Sequence, residues 1–477
     1  MKVAFVSGNR EQLPDAVTPL GLLSLIAATA DRHEGALVDL CFEDEPEQAL
    51  ARQLAQLQPD VVALGMRNIQ SGDYSGVGHS LDYYRGLVDA IRPATRAPLV
   101  MGGAGFSVMP QKLMRHLEPD YGIAGEGERA LPALLEAIEA DRGFEGIGSL
   151  HRFVDGDVIS NPPDKGFLDM NTLAPPDRSR LDSRYYTRYG IDSVQTKRGC
   201  PLRCDYCTYP IIEGRVGRTR EPVRVADEVE AIQAQQPDAR HFFVVDSVFN
   251  LPKTHAKQVC QELVARGNRL PWSCYSNPLG FDPELAELMV AAGCAGTEVG
   301  SDGGTDEVLL RLRKGFDTAR IREFHDIAVA AGLPDCHTFI LGTPGEKLDD
   351  VRRTLEFIVE LDPFGVVVMI WADDAEALDP ALARERASLR EAILGVLDDH
   401  KDEFPWWSIP AIGVNYDPKL FELLRRQGCS GPLWQHIRGL LRAPRQRRPR
   451  ADRPARVSGR LAASVSRQEE GRGGDEL

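Results

Sequence analysis

The chain has 477 residues, 43% hydrophobic and 27% charged, with a formal net charge of −15. That length implies two or three domains, each able to bury its own core, and the acidic balance disfavours binding of nucleic acid or other polyanions by the globular body. No apolar run approaches the ~20 residues that span a bilayer, and nine cysteines, an odd number with six of them scattered outside one motif, point to a reducing compartment, the cytoplasm.

Residues 1–150 alternate short apolar runs at 3–7, 36–42, 61–66, 98–102 and 121–124 with helix-length stretches at 20–31, 46–57, 78–92, 110–117 and 128–140. This pattern predicts an α/β domain built on a doubly wound, Rossmann-like parallel sheet. Ligands of such sheets sit outside the carboxyl ends of the strands. Those ends carry Ser7 and Asn9, Arg67 and Asn68, the glycine-rich turn from Gly102 and Gly103 to Ser107, and Gly125-Glu126-Gly127-Glu128. The small residues let a bulky ligand approach the backbone.

A Pro- and Asp-rich linker is predicted over 151–190. A second βα series follows over 191–374, with strands at 193–196, 241–246, 272–275, 296–300, 336–342 and 365–370, as in a partial (β/α)6 barrel. Residues 375–442 read as a small, mainly helical domain interrupted by aromatics at Phe404, Trp406, Trp407 and Trp434. Residues 443–477 are rich in Arg, Gly and Ser and predict a disordered tail. Its arginines lack interleaved aromatics, so it reads as solvated chain rather than a nucleic-acid site.

Cys200, Cys204 and Cys207 follow the first strand of the second series in the spacing Cx3CxxC. A structural zinc closes its tetrahedron with four protein ligands, and ferredoxin-type clusters recruit a fourth Cys. A lone triplet holds three corners of an iron–sulfur cubane and leaves the fourth iron open. Gly199 and Pro201 make the segment a loop, and Arg198 and Arg203 favour thiolates.

This run, with Tyr206 before the last Cys, resembles the signature of the radical S-adenosylmethionine (radical SAM) superfamily. The resemblance implies a [4Fe-4S] cluster whose open iron chelates the amino and carboxylate groups of S-adenosylmethionine. One electron, from an external donor such as flavodoxin or ferredoxin, can then cleave the sulfonium to a 5'-deoxyadenosyl radical. Three further stretches resemble the family in order. Asp246-Ser-Val-Phe-Asn250 is similar to its D-x-x-F-N, Glu298-Val-Gly-Ser301 to its E-S-G-S with Val299 where Ser is usual, and Gly342-Thr-Pro-Gly-Glu346 to its G-x-P-G-E turn. The resemblance covers about 190–370 and implies that Tyr206, Asp246, Asn250, Glu298, Ser301 and Gly342 surround the cofactor.

The first domain resembles the cobalamin-binding domain that precedes the barrel in one branch of that superfamily, through Pro19-Leu-Gly-Leu22, the turn at 102–107 and Gly125-Glu-Gly-Glu128. Cobalamin is therefore expected there, on Ser7, Asn9, Asn68, Gly102, Gly103, Ser107, Gly125, Glu126 and Gly127. No D-x-H-x-x-G string is present and His33, His79 and His116 are isolated, so no histidine is expected on cobalt. Arg67, in a sequence similar to the branch's R-N motif, is expected beneath the corrin as the catalytic residue, the alternative being a pair with Asp73 or a phosphate. Methylthiotransferases place three cysteines in a comparable first domain; here it holds only Cys41. The resemblance implies a cobalamin-dependent methyltransferase that passes a methyl group from S-adenosylmethionine, via methylcobalamin, to an unactivated carbon or phosphinate of a small molecule or peptide. The alternatives are oxidative cyclisation or rearrangement, and a degenerate cobalamin-binding sensor.

Overall fold

The computed structural model describes residues 1–70, 80–164, 166–403 and 405–441. The tail arginines, Asp73, His79 and Phe404 lie outside the described residues. Two seven-stranded sheets organise the chain.

The first sheet holds β1 Lys2–Ser7, β2 Glu34–Asp39, β3 Val61–Gly65, β4 Leu99–Gly102 and β5 Tyr121–Ile123, extended by the hairpin β6 Leu150–Val154 and β7 Asp157–Ser160. Its order is β2-β1-β3-β4-β5-β6-β7, and the first five strands are parallel. Val3, Ala4, Phe5 and Val6 are all fully buried, as expected of a central parallel strand covered on both faces. Helices Leu20–Thr29 and Gly127–Glu139 cover one face, and Pro46–Leu57, Leu81–Ala94 and Pro110–Leu117 the other. The strand order reverses at β1 and β3, which opens a crevice at their carboxyl ends.

The predicted linker begins differently from expectation. Its first ten residues continue the first sheet as the antiparallel hairpin β6–β7. The turn is Asp155-Gly156, both at positive φ (51° and 87°), the dipeptide that suits a two-residue hairpin. Further on, Arg178 fixes the connector from within, bonding Asp192 at 2.8 Å and Glu228 at 2.6 Å in a nearly dry site.

The second sheet contains β8 Ile191–Val194; a separate ribbon follows from β9 Lys197–Arg198 and β10 Arg218–Thr219. It continues with β11 His241–Val244, β12 Trp272–Ser276, β13 Cys294–Asp302, β14 Asp335–Leu341, β15 Gly365–Ile370 and β16 Trp407–Ser408. All its pairings are parallel, in the order β16-β15-β14-β13-β12-β11-β8. This is the expected open barrel with a seventh strand that two residues are too few to announce in sequence.

Helices Pro380–His400, Pro418–Arg426 and Trp434–Leu441 follow the barrel. They pack against both sheets' domains. Trp434 fills the space over Gly296 and Gly365, where an added Cβ would lie 2.6 and 2.9 Å from its ring. Phe421, Leu424 and Leu433 pack with Leu13 of the first domain, and Arg425 bonds Asp15 at 3.1 Å. No helix of the described residues is long and apolar enough to cross a membrane.

Candidate active site

The cysteine loop leaves the carboxyl end of β8 and is held from below. Asp246, fully buried at the end of β11, accepts the backbone N–H groups of Thr196 (2.7 Å) and Lys197 (3.1 Å) and the Thr196 hydroxyl (2.5 Å). Asn250 is spent in the same way on Asn277 and Leu279. Both side chains were expected at the cofactor; the fold turns them into supports for the loops that carry it. Gly199 sits at φ +84°, and a Cβ there would lie 2.1 Å from Val216 O, so the turn into Cys200 requires glycine.

All three thiols are free. Burial and mutual repulsion raise Cys204, and push Cys207 up to about 11. A bound iron cation inverts that sign and holds the sulfurs as thiolates. Cys41, Cys260, Cys274, Cys294 and Cys336 are buried elsewhere, and the half-exposed Cys429 packs on the C-terminal cluster beside Leu13. Three donors on one loop fit a cubane with one open iron and do not fit a closed structural zinc site.

Above the loop, the Tyr206 hydroxyl donates to Asp302, and Lys314 Nζ bonds Asp302 and, at 3.1 Å, Tyr206. Lys314 is 4% exposed, and its charge reaches Cys204 and Cys207. Asp302 ends β13 at φ +62°, a conformation that non-glycine residues hold only where surroundings enforce it. Asp302 and Lys314 were not anticipated. The sequence aligned the acidic position with Glu298, yet Asp302 stands at the strand end beside the cysteines, and Glu298 lies deeper in the barrel. Ser301 points to the other face, where its hydroxyl meets His337 Nδ1 at 2.7 Å. Gly342, at φ +82°, opens a turn that Glu346 closes by accepting the Gly342 and Thr343 N–H groups at 2.8 Å each. This turn lines a cavity of ≈ 260 Å³ with Trp371, Arg386 and Arg390.

The main cavity, ≈ 740 Å³, lies between the carboxyl ends of the first sheet and the inner face of the second, where Ile191, His241, Glu298, Thr338 and Val367 line it. Ser7, Asn9, Arg67, Asn68, Gly102, Gly103, Gly125, Glu126 and Gly127 line it from the first domain. Gly103, at φ +97°, has no room for a Cβ, which would fall 2.5 Å from Met66 O. Ser107 does not line the cavity. Its hydroxyl donates to Gly103 O (2.7 Å) and accepts the Gly125 N–H (2.8 Å), tying two rim turns together. Asn9 Nδ2 is buried without a protein partner, a donor left for a ligand.

Glu126 and Glu128 face the second domain. Arg198 binds Glu126 at 3.0 Å and Glu128 at 2.6 Å, and Arg218 binds Glu126 at 2.6 Å. Glu126 was expected to be a cofactor contact, but it is engaged in a clamp that ends two residues before Cys200. Replacing Arg198 by Ala strands the buried Glu128 carboxylate, at a cost of about 3–5 kcal/mol. The expected outcome is a lower unfolding temperature and less iron per chain after reconstitution; unchanged values of both would contradict the clamp.

Arg67, just past β3, exposes its side chain at the cavity wall while its backbone N–H donates to the Tyr84 hydroxyl at 3.3 Å. None of the ion pairs among the described residues involves it. No histidine of the first domain lines the cavity among the described residues.

From the second domain, Glu298 enters the same cavity and accepts from Trp434 Nε1 at 3.0 Å. Burial pushes its carboxyl up to about 7 from 4.5. A folded-state pKa above the unfolded one means the associated stability is full below about pH 4.5 and is lost as pH rises through about 7. Glu298→Gln is therefore expected to gain thermal stability over the native chain at about pH 8 and little at about pH 5. Equal differences at both pH values would contradict the assignment.

A nucleotide-fold crevice facing an open barrel with a three-cysteine loop defines a protein that holds a large cofactor against an iron–sulfur centre. The Radical SAM superfamily pattern matches residues 194–358 and the B12 binding domain pattern residues 8–135. Tryptophan 2-C-methyltransferase of Streptomyces laurentii is 28% identical over 427 residues, covering 76% of this chain and 70% of that protein. Radical S-adenosylmethionine methyltransferase TsrM from Kitasatospora setae, solved with cobalamin and a [4Fe-4S] cluster bound, superposes with a TM-score of 0.69 at 28% identity, covering 77% of this chain and 72% of that one. The cobalamin-dependent radical enzyme OxsB, solved with aqua-cobalamin, shares the fold at a TM-score of 0.66 and 16% identity, covering 80% and 55%. The chain carries a radical SAM domain and a B12-binding domain, and its cofactors are a [4Fe-4S] cluster, S-adenosylmethionine and cobalamin.

Proposed function

We propose that the protein is a methyltransferase that moves a methyl group from S-adenosylmethionine to an unactivated carbon, or a phosphinate, of a small molecule or peptide. The observation that carries this reading is one cavity shared by the carboxyl ends of the first sheet and the interior of the barrel. It lets a corrin in the first domain and a substrate in the barrel meet in one space. Bound cobalamin supplies a cobalt that can accept and release a methyl group, and the cluster supplies single electrons to S-adenosylmethionine.

The chain's own residues set up that chemistry. Cys200, Cys204 and Cys207 hold the cluster, with Asp246 and Asn250 fixing the loops beneath. Tyr206, Asp302 and Lys314 form the charged wall beside the open iron, and Gly342 gives the turn its close approach. Gly102, Gly103, Gly125 and Gly127 keep the first domain's rim low, while Ser7, Asn9 and Asn68 offer it polar atoms. Arg67 is read as the residue beneath the corrin. A guanidinium offers N–H donors and no free lone pair to a metal, so in that place it would hold the corrin without giving cobalt a protein ligand. The external electron donor, flavodoxin or ferredoxin, and the cytoplasmic location belong to this proposal, supported by the family and by free cysteines throughout.

The relative TsrM has been solved with tryptophan substrate and a SAM analogue bound, which supports a small aromatic acceptor here. The test is product analysis of anaerobically reconstituted protein given S-adenosylmethionine, a low-potential reductant and candidate acceptors. Methyl transfer must release S-adenosylhomocysteine in proportion to methylated acceptor. Release of 5'-deoxyadenosine with no S-adenosylhomocysteine would instead indicate cyclisation or rearrangement.

A further inference from the structure

One acidic group in the main cavity stands apart from the cysteine loop and from the first domain's rim. Glu298 sits midway along β13, below the level of the cysteine loop, with its side chain toward the barrel interior. Its Oε1 accepts from Trp434 Nε1. Its acidity is set by burial, by that N–H and by the neighbouring carboxylate of Asp15, and no cation contributes.

Other carboxylates around the cavity are answered from within the protein. Glu126 and Glu128 have Arg198 and Arg218, Glu213 accepts the Gly199 N–H at 3.0 Å, and Asp15 has Arg425. Glu298 alone among these faces the cavity without a cation or a backbone donor. A carboxylate withdrawn from water must take up a proton or gain a cation. Thr18, on the same loop as Asp15, is 4% exposed, and its hydroxyl is buried without a partner at the cavity wall. Around these polar atoms the wall is mainly aromatic and apolar, with Phe243, Tyr275, Met369, Tyr416, Phe421 and Trp434, and it also carries Ser193, His241, Thr338 and Ser408. The combination of an apolar sleeve, one unanswered carboxylate and one unanswered hydroxyl describes a site for an aromatic body with a protonated nitrogen.

We propose that Glu298 anchors the ammonium group of an aromatic amine or amino-acid substrate, with Trp434 aiming the carboxylate and Thr18 taking a second polar atom. The proposal rests on reading the cavity as the acceptor site of the methyltransferase, and it assigns that acceptor a class. Glu298 is a specificity-determining residue here, and no bond is made or broken at it.

The test is calorimetric binding to the protein carrying cluster and cobalamin, without S-adenosylmethionine, using three probes of one size: 2-phenylethylamine, 2-phenylethanol and phenylacetate. The amine should bind best and phenylacetate worst. Glu298→Gln keeps the volume and the acceptor for Trp434. It should weaken the amine by about tenfold or more, the scale of a hydrogen bond to a charged group, and leave the alcohol within about twofold. Glu298→Asp, which keeps the charge but withdraws it by one methylene, should lose amine affinity yet keep the preference for amine over phenylacetate, and it serves if the Gln variant does not fold. Equal binding of amine and alcohol, preference for phenylacetate, no binding of the amine, or an equal loss for all three probes in Glu298→Gln would overturn the proposal. Because binding is read without turnover, failure here leaves methyl transfer open, and failure of methyl transfer leaves these affinities readable.

Discussion

Replacing Cys200, Cys204 and Cys207 together by Ala is expected to abolish the brown iron–sulfur chromophore after anaerobic reconstitution and to reduce cluster-dependent cleavage of S-adenosylmethionine to background. The cause is local. The other thiols are buried or, for Cys429, lie in the C-terminal cluster, so the loop has no substitute ligand. The first domain and its cavity wall do not depend on the thiols, and cobalamin binding should persist. Iron and sulfide at native levels in the triple variant would show that the cluster is held elsewhere. Loss of cobalamin along with iron would show that the two cofactors are not held by separate parts of the chain.

Arg67 carries the second large effect. If Arg67 is the residue beneath the corrin, as proposed, and with no histidine of the first domain at the cavity among the described residues, the cob(II)alamin form is expected to show no nitrogen superhyperfine splitting from an axial ligand. Arg67→Ala should retain cobalamin and lose most methyl transfer. Arg67→His should gain a cobalt–nitrogen bond visible by paramagnetic resonance. Arg67→Lys keeps the charge and should stay closer to the native protein. Full turnover in Arg67→Ala with an unchanged spectrum would make the arginine a wall residue only.

Much of this was legible from local pattern, because parallel strands are short apolar runs and their carboxyl ends are marked by Gly, Ser and Asn. The five parallel strands of the first sheet and the first six of the second were placed within a few residues by that signal. The hairpin β6–β7 is announced in sequence by the Asp155-Gly156 turn alone, and the Pro-rich chain that follows masks it. In the site, the cysteine spacing carries its chemistry alone. The acidic residue at the end of β13 does not: Glu298 and Asp302 lie four apart on one strand, and only Asp302, at its carboxyl end, bonds Tyr206 and Lys314 beside the cysteines. Asp246, Asn250 and Ser301 illustrate the same limit. A motif names the residue type, but whether its polar atoms face the cavity or hold the loop depends on hydrogen bonds to chain 27 to 50 residues away. Lys314 gave no signal before folding, since its charge matters only once the barrel brings it to Tyr206 and Asp302.

The most direct measurement is a rapid-quench single turnover with no acceptor present. Reduced protein carrying cluster and cobalamin is mixed with S-adenosylmethionine, and S-adenosylhomocysteine is counted against bound cobalamin. A burst equal to the cobalamin content, absent from cobalamin-free protein, is the result that methyl transfer through this cavity predicts. No burst, or an equal one without cobalamin, would contradict it.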